Sequence, residues 1–207
     1  MAIISVKARI AAAVLALIAW AGLVLQVAGV FPRSPSLIDA IWTMLRFFTI
    51  TTNLGLAVVM TGISLGRPAF GAPRLLGGLT LALVFVGGVN VTLLQGRLDL
   101  ASRDLMADLF LHYVTPLAML AFWLVLRPRG ALRYRDPFLW SLYPLAYAVY
   151  AIARGAADGT YPYPFLDVAQ IGLARTGANI TLLWLSFVLA GLVLVSLDRR
   201  ETPTQHP

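Results

Sequence analysis

Six stretches of the sequence are apolar over close to the length that a helix needs to cross a lipid bilayer, about 20 residues. They are residues 10–31, 38–65, 75–95, 105–126, 137–155 and 176–197. Hydrophobic residues make up 59% of the chain and charged residues 12%, whereas a soluble domain carries about 25% charged residues. The pattern predicts an all-α polytopic membrane protein: one bundle of six transmembrane helices over residues 1–200, followed by a disordered tail at 201–207.

The basic residues are divided unequally between the two ends of the predicted helices, and this division predicts orientation. Ten basic residues would lie on one side, namely Lys7, Arg9, Arg67, Arg74, Arg127, Arg129, Arg133, Arg135, Arg199 and Arg200. Five would lie on the other, namely Arg33, Arg97, Arg103, Arg154 and Arg175. Because cytoplasmic loops carry the excess of Lys and Arg, both termini are predicted to be cytoplasmic. The net charge of +7 is thus attributed to topology and not to nucleic acid binding.

Two further features narrow the possible classes of protein. The chain has no cysteine, which excludes disulfides, iron–sulfur clusters and thiolate zinc sites. The first apolar stretch could be taken for a signal peptide, but it exceeds the usual apolar run of about 7–15 residues. We therefore interpret it as a transmembrane helix.

Polar side chains interrupt the second stretch, at Leu45–Leu54. Arg46, Thr49 and Asn53 follow the i, i+3, i+7 spacing that places residues on one helix face, with Thr52 beside them. Such a polar stripe is unfavourable within a membrane unless it meets partners or water. The stripe therefore predicts a partner face elsewhere in the bundle.

The fourth stretch supplies a candidate for that face. Asp108, His112 and Thr115 follow the i, i+4, i+7 spacing. Pro116 cannot donate a hydrogen bond to the carbonyl of His112, so a kink is predicted at the histidine.

The polar residues of the apolar stretches concentrate in the predicted outer half of the bundle. Counting 1.5 Å per residue places Thr49 about 17 Å and His112 about 12 Å below the outer ends of their helices. Asn90 and Asn179 fall in the same half. The residues predicted above this layer are Arg46, Asp108, Arg154, Asp167 and Arg175. This convergence predicts a cavity that opens outward or into the outer leaflet.

A segment with two prolines, Tyr161–Asp167, precedes the last helix and cannot be helical throughout. It contains Tyr163 and predicts a stiff lid or re-entrant piece at the outer face.

His112 is the only histidine within the apolar stretches, since His206 is in the tail. An intramembrane ionisable group favours a functional role, although a buried histidine satisfied by its neighbours is the alternative interpretation. A threonine hydroxyl at similar depth would make a nucleophile–base pair. One histidine and scattered carboxylates fall short of a metal site, and no cofactor is predicted.

Three motifs resemble those of a known family when taken in order. They are Phe47-Phe-Thr-Ile-Thr-Thr-Asn53, Leu111-His-Tyr-Val-Thr-Pro116 and Tyr161-Pro-Tyr-Pro-Phe-Leu-Asp167. Together they resemble bacterial six-helix membrane proteins of unassigned role and, more distantly, the androgen-induced gene family, which includes the androgen-dependent regulator of tissue-factor-pathway inhibitor. Members of that family are membrane threonine hydrolases that cleave fatty acid esters of hydroxy fatty acids.

The resemblance implies a nucleophile at Thr49, which follows an aromatic pair, and a catalytic histidine at His112. The eukaryotic proteins have an aspartate after their threonine where this chain has Thr51, Thr52 and Asn53, so Thr51 is the alternative nucleophile. The resemblance also implies a bacterial cytoplasmic membrane protein.

These observations together predict an intramembrane hydrolase of lipid esters whose partners are membrane lipids and a fatty-acyl substrate. Oxyanion donors are expected among Asn90, Asn179, Asn53 and Arg46. Arg154 or Arg175 is expected to bind a fatty acid carboxylate, and the aromatic lid is expected to cover the acyl chain. The alternatives are a small-molecule or proton carrier that uses His112 and Asp108 as a relay, a lipid-binding scaffold, and a partner subunit with a structural polar layer.

Overall fold

The computed structural model describes residues 4–94, 105–127 and 129–200, so the predicted tail at 201–207 lies outside the described residues. The α-helices of the described residues are α1 (Val6–Val30), α2 (Leu37–Met44), α3 (Phe48–Ser64), α4 (Pro73–Val89), α5 (Leu105–Leu109), α6 (Thr115–Leu126), α7 (Asp136–Trp140), α8 (Leu142–Asp158), α9 (Val168–Ile171) and α10 (Leu173–Arg200). Two π-helical turns, Asn90–Leu94 and Phe110–Val114, continue α4 and join α5 to α6. The described chain is therefore all-α, as predicted.

Four helical segments of the described residues are long and apolar enough to cross a membrane: Val6–Arg33, Pro73–Leu94, Leu105–Leu126 and Leu173–Arg200. Taken together, α2 and α3 pass the same test and would make a fifth. These segments are typical of an integral membrane protein. The predicted fifth stretch, residues 137–155, forms α7 and α8 instead, and α8 has 17 residues.

The predicted helix over residues 38–65 is not continuous. Helices α2 and α3 are bent by 100° at a break between them. Arg46 lies in this break, so the prediction that it shares a helix face with Thr49 and Asn53 is wrong. The break puts Thr49 in the first turn of a helix instead of its middle.

The described residues form two compact units. One takes the described residues 4–45, 49–94 and 105–127, and the other takes residues 46–48 and 129–200. In the first unit α4 packs mainly on α6, while α1 packs on α5, on the π turn Phe110–Val114 and on α6. Gly22 of α1 permits this close approach, because a Cβ there would lie 2.9 Å from the Leu111 side chain.

The helix is distorted beside Pro116, where the sequence predicts a kink, and the distortion is the π turn Phe110–Val114. The Thr115 N–H donates to the Phe110 carbonyl, five residues earlier, and Pro116 has no N–H to donate. The carbonyls of Leu111 and His112 therefore lose their usual main-chain donors. Gly87 of α4 lies against the His112 carbonyl oxygen, where a Cβ would be 3.1 Å from it.

We expect Gly87→Ala to destabilise the first unit by about 1–3 kcal/mol, because the added methyl would press on a backbone oxygen that cannot rotate away. Gly88→Ala is the matched control on the same helix, since a Cβ there meets nothing within 4 Å. Thermal unfolding of the detergent-solubilised variants, followed by circular dichroism, measures the difference. Equal melting temperatures for the two variants would contradict this account of the contact.

In the second unit, side chains from α8 and the segment after it hold the residues of the break. The Tyr147 hydroxyl donates to the Arg46 carbonyl oxygen over 2.6 Å, and the Phe48 N–H donates to the Tyr163 hydroxyl over 3.1 Å. These bonds satisfy main-chain groups that a continuous helix would pair internally. The unit also contains α10, whose Trp184 indole donates to the Ser141 hydroxyl between α7 and α8.

Candidate active site

In the first unit, the hydroxyl of Thr49 lies against the imidazole of His112. Thr49 is the second residue of α3 and is 7% exposed. Its Oγ1 lies 2.9 Å from Nε2 of His112, which is on the π turn before α6. The sequence predicts this pair, and the structure places its two atoms at hydrogen-bond distance.

Asp108 lies on the other side of the imidazole ring, one turn earlier. Its Oδ1 is 2.6 Å from His112 Nδ1, although the ring N–H is not aligned with that oxygen as a good hydrogen bond requires. Thr49, His112 and Asp108 thus form a hydroxyl–imidazole–carboxylate series.

Two neighbouring residues of this series, Asn53 and Thr115, are both fully buried. The Asn53 amide donates to the carbonyl oxygens of Thr49 and Leu111 over 2.9 and 3.1 Å. The Thr115 hydroxyl donates to Asn53 Oδ1 over 2.6 Å. Both amide hydrogens of Asn53 are therefore engaged with main-chain carbonyls.

Asn90 begins the π turn that continues α4 and is 2% exposed. Its Nδ2 donates to the Tyr113 hydroxyl over 3.2 Å. Asn90 Oδ1 is buried and accepts no hydrogen bond within the described part of the chain. The residue therefore joins the two π turns of the first unit.

Arg46 is engaged within the second unit. Its guanidinium forms a bidentate ion pair with Asp158, at 3.0 and 2.8 Å, and also donates to the Thr160 carbonyl. The hydrogen bonds from Arg46 to the carboxylate hold the pKa of Asp158 below its ordinary value. Arg154 is 3.6 Å from the same carboxylate and donates to the Tyr150 hydroxyl over 2.8 Å.

The predicted lid, Tyr161–Asp167, is an ordered part of the second unit. The Tyr163 ring stacks on Phe165 at 5.0 Å between centroids. Asn179 of α10 donates to the Phe165 carbonyl over 3.0 Å. Asp167 caps α9 by accepting from the Gln170 N–H over 3.0 Å.

The two arginines predicted to bind a fatty acid carboxylate differ in exposure. Arg154 is 7% exposed, whereas Arg175, near the start of α10, is exposed. Arg175 is therefore the one of the two that solvent or lipid reaches.

The sequence pointed to most of the ionisable and hydroxyl groups but not to Asp158, whose carboxylate binds Arg46 in the break. The spacing of Asp158 four residues after Arg154 on a helix was the available signal. The oxyanion donors expected from the sequence are all side chains. The first turn of α3, which begins at Phe48, offers main-chain N–H groups instead.

Among the described residues, no group of three or more His, Cys, Asp or Glu side chains is placed to hold a metal ion. Comparisons of the chain with models of protein families, with curated proteins and with solved structures found no match.

Proposed function

We propose that this chain is an intramembrane hydrolase of lipid esters, with Thr49 as the nucleophile and His112 as the general base. The observation that carries the proposal is the 2.9 Å contact between Thr49 Oγ1 and His112 Nε2. A hydroxyl becomes a useful nucleophile when an adjacent base accepts its proton. Asp108, 2.6 Å from the other ring nitrogen, completes an arrangement that orients the base.

The proposed reaction has two steps. Thr49 Oγ1 attacks the acyl carbonyl while its proton passes to His112 Nε2, and a bond forms between Oγ1 and the carbonyl carbon. The bond to the leaving alcohol then breaks, and His112 returns the proton to the departing oxygen. Water, deprotonated by the same nitrogen, next attacks the acyl carbon of the acyl-threonine. The bond between this carbon and Oγ1 breaks, His112 returns the proton to Oγ1, and the fatty acid is released.

Asp108 acts through the histidine in this mechanism. For Nε2 to accept the Thr49 proton, the neutral ring must carry its hydrogen on Nδ1, the nitrogen that faces Asp108. The carboxylate favours this tautomer and stabilises the imidazolium that forms during attack.

The oxyanion donors that we propose are the main-chain N–H groups of Thr49 and Ile50. The first N–H groups of a helix have no acceptor within it, and α3 begins at Phe48. The partial positive charge at a helix N-terminus favours an anion there. A carbonyl attacked by Thr49 would develop its negative oxygen next to these groups.

The number of membrane spans, their orientation, the location and the substrate class that we propose follow from the family resemblance and the charge pattern. We propose a single bundle of six membrane spans in a bacterial cytoplasmic membrane, with both termini in the cytoplasm. The substrate class that we propose is fatty acid esters of hydroxy fatty acids. Three motifs in the order found in threonine hydrolases and ten basic residues against five support these proposals.

The test is turnover by the purified, detergent-solubilised protein against branched and simple fatty acid esters, together with labelling by a fluorophosphonate-type probe. We expect ester hydrolysis, and an adduct that peptide mass spectrometry locates on Thr49. Fatty acid release is followed by mass spectrometry, with heat-denatured protein as the control. Absence of both turnover and adduct would reject the hydrolase and favour a carrier that uses His112 and Asp108 as a relay.

A further inference from the structure

One buried asparagine connects the residue that carries the nucleophile to the turn that carries the base. We call the group formed by Asn53, Thr115 and the carbonyls of Thr49 and Leu111 the Asn53 network. Its hydrogen bonds are Asn53 Nδ2 to Thr49 O at 2.9 Å, Asn53 Nδ2 to Leu111 O at 3.1 Å, and Thr115 Oγ1 to Asn53 Oδ1 at 2.6 Å. Every hydrogen-bonding position of the amide group except one oxygen lone pair is thus in use.

The Leu111 carbonyl needs this network because the main chain leaves it without a donor. In an α-helix it would accept from the Thr115 N–H, but that group donates to the Phe110 carbonyl. In a continued π-helix it would accept from residue 116, which is proline. The Asn53 amide supplies the missing donor. The Thr115 hydroxyl also lies 3.3 Å from this carbonyl, but its one hydrogen goes to Asn53 Oδ1 over the shorter distance of 2.6 Å.

The position of these carbonyls relates the network to the proposed chemistry. Thr49 O belongs to the residue whose hydroxyl contacts the histidine, and Leu111 O belongs to the residue before His112. Two hydrogens on one rigid amide fix the spacing between these two backbone segments. Thr115 fixes the orientation of the amide itself, because its hydroxyl binds Oδ1.

We propose that Asn53 is a positioning residue, held in place by Thr115, that sets the hydrogen bond between Thr49 Oγ1 and His112 Nε2. This inference rests on the proposed function, because it assigns a purpose to the geometry of the proposed catalytic pair. Asn53 contacts no reacting atom in this assignment. Loss of the Asn53 contact lowers the fraction of time for which Thr49 Oγ1 and His112 Nε2 are at hydrogen-bond geometry. We therefore expect it to lower kcat more than it changes KM.

The test uses Thr115→Val, which keeps the shape of a buried side chain and removes only the hydroxyl that orients Asn53. We expect kcat to fall about fivefold, the effect of losing one hydrogen bond, with KM unchanged. Thr115→Ser retains the hydroxyl and should restore kcat. Thr80→Val is the matched control, since Thr80 is equally buried and its hydroxyl bonds within its own helix, to Leu76 O.

A spectroscopic measurement tests the geometry without turnover. The chain has two histidines, so His206→Gln leaves His112 as the sole source of imidazole nitrogen signals in a 15N-histidine-labelled sample. We expect Thr115→Val to move the Nε2 resonance towards its position in Thr49→Ala, where the hydroxyl partner is absent. Thr80→Val should leave the resonance where it is.

Three outcomes separate the two proposals. An unchanged kcat and an unchanged Nε2 resonance in a folded Thr115→Val protein would overturn the positioning role, whatever the wild type hydrolyses. A wild type that hydrolyses no ester would reject the proposed function, yet a shifted resonance would still support the positioning geometry. A lower kcat with a shifted resonance, both restored in Thr115→Ser, is the result that we expect.

Discussion

Replacing Thr49 with alanine is expected to abolish ester hydrolysis and probe labelling, with kcat falling by about 10⁴-fold or more. The reason is geometric, because the Thr49 hydroxyl lies 2.9 Å from the nitrogen that would accept its proton. Without that oxygen no acyl-enzyme can form, so a higher ester concentration cannot restore turnover. The measurement is kcat with saturating ester, together with in-gel detection of the probe.

Thr51→Ala is the matched control for this loss, because it removes a hydroxyl from the same turn of α3. We expect it to change kcat by less than about threefold, since a single substitution away from the reacting atoms has a small effect. Thr49→Ser should keep measurable activity, because it keeps the hydroxyl. Loss of activity in Thr51→Ala with retention in Thr49→Ala would transfer the nucleophile to Thr51, the alternative that the resemblance left open.

Replacing His112 with alanine is expected to lower kcat by about 10²–10⁴-fold, the usual contribution of a positioned general base. The substitution removes both the acceptor for the Thr49 proton and the donor to the leaving alcohol. KM should change much less, because the imidazole is assigned to proton transfer and not to binding of the acyl chain. Steady-state kinetics over a range of ester concentrations separate the two parameters.

His206→Ala serves as the control for histidine removal, because His206 is the other histidine of the chain and lies near its C-terminus. Its activity should equal that of the wild type. A His112→Ala protein that hydrolyses ester at the wild-type rate would exclude general base catalysis by this residue. The contact with Thr49 would then be structural.

The candidate pair was predictable from the sequence, but the position of Thr49 along its helix was not. Counting residues from the predicted outer ends of the helices puts Thr49 about 17 Å and His112 about 12 Å below those ends, if both helices are straight. The break before α3 invalidates the first count, since Thr49 is the second residue of its helix. Residue chemistry predicted a hydroxyl partner for His112, the one histidine of the apolar stretches, and the family resemblance selected Thr49 among the threonines.

The break itself could not be predicted locally, because Leu45–Phe47 contains no glycine or proline. Its stability comes from residues far along the chain, where Tyr147 and Tyr163 bind the main chain and Asp158 binds the Arg46 side chain. Such tertiary contacts override helix propensity and leave no local signature. By contrast, Pro116 did indicate the site of the π turn, since a missing N–H acts on the adjacent turn alone.

The sequence predicts that the asparagines form hydrogen bonds, but it does not predict which groups they bind. An amide within an apolar segment has to find hydrogen bonds, and the sequence identifies Asn53 and Asn179 on that basis. Whether each donates to a backbone carbonyl or to a reacting oxygen depends on which carbonyls the fold leaves without donors. Asn53 and Asn179 donate to the carbonyls of Leu111 and Phe165.

The ion pair between Arg46 and Asp158 joins residues 112 positions apart, which has a consequence for the order of synthesis. At about 5–20 residues per second, a ribosome needs about 6–22 seconds to add the residues between them. During that interval the helix that contains Thr49 can form, while the side chains that fix its first residue do not yet exist. The N-terminal boundary of α3 is therefore imposed late, by residues that emerge long after the helix itself.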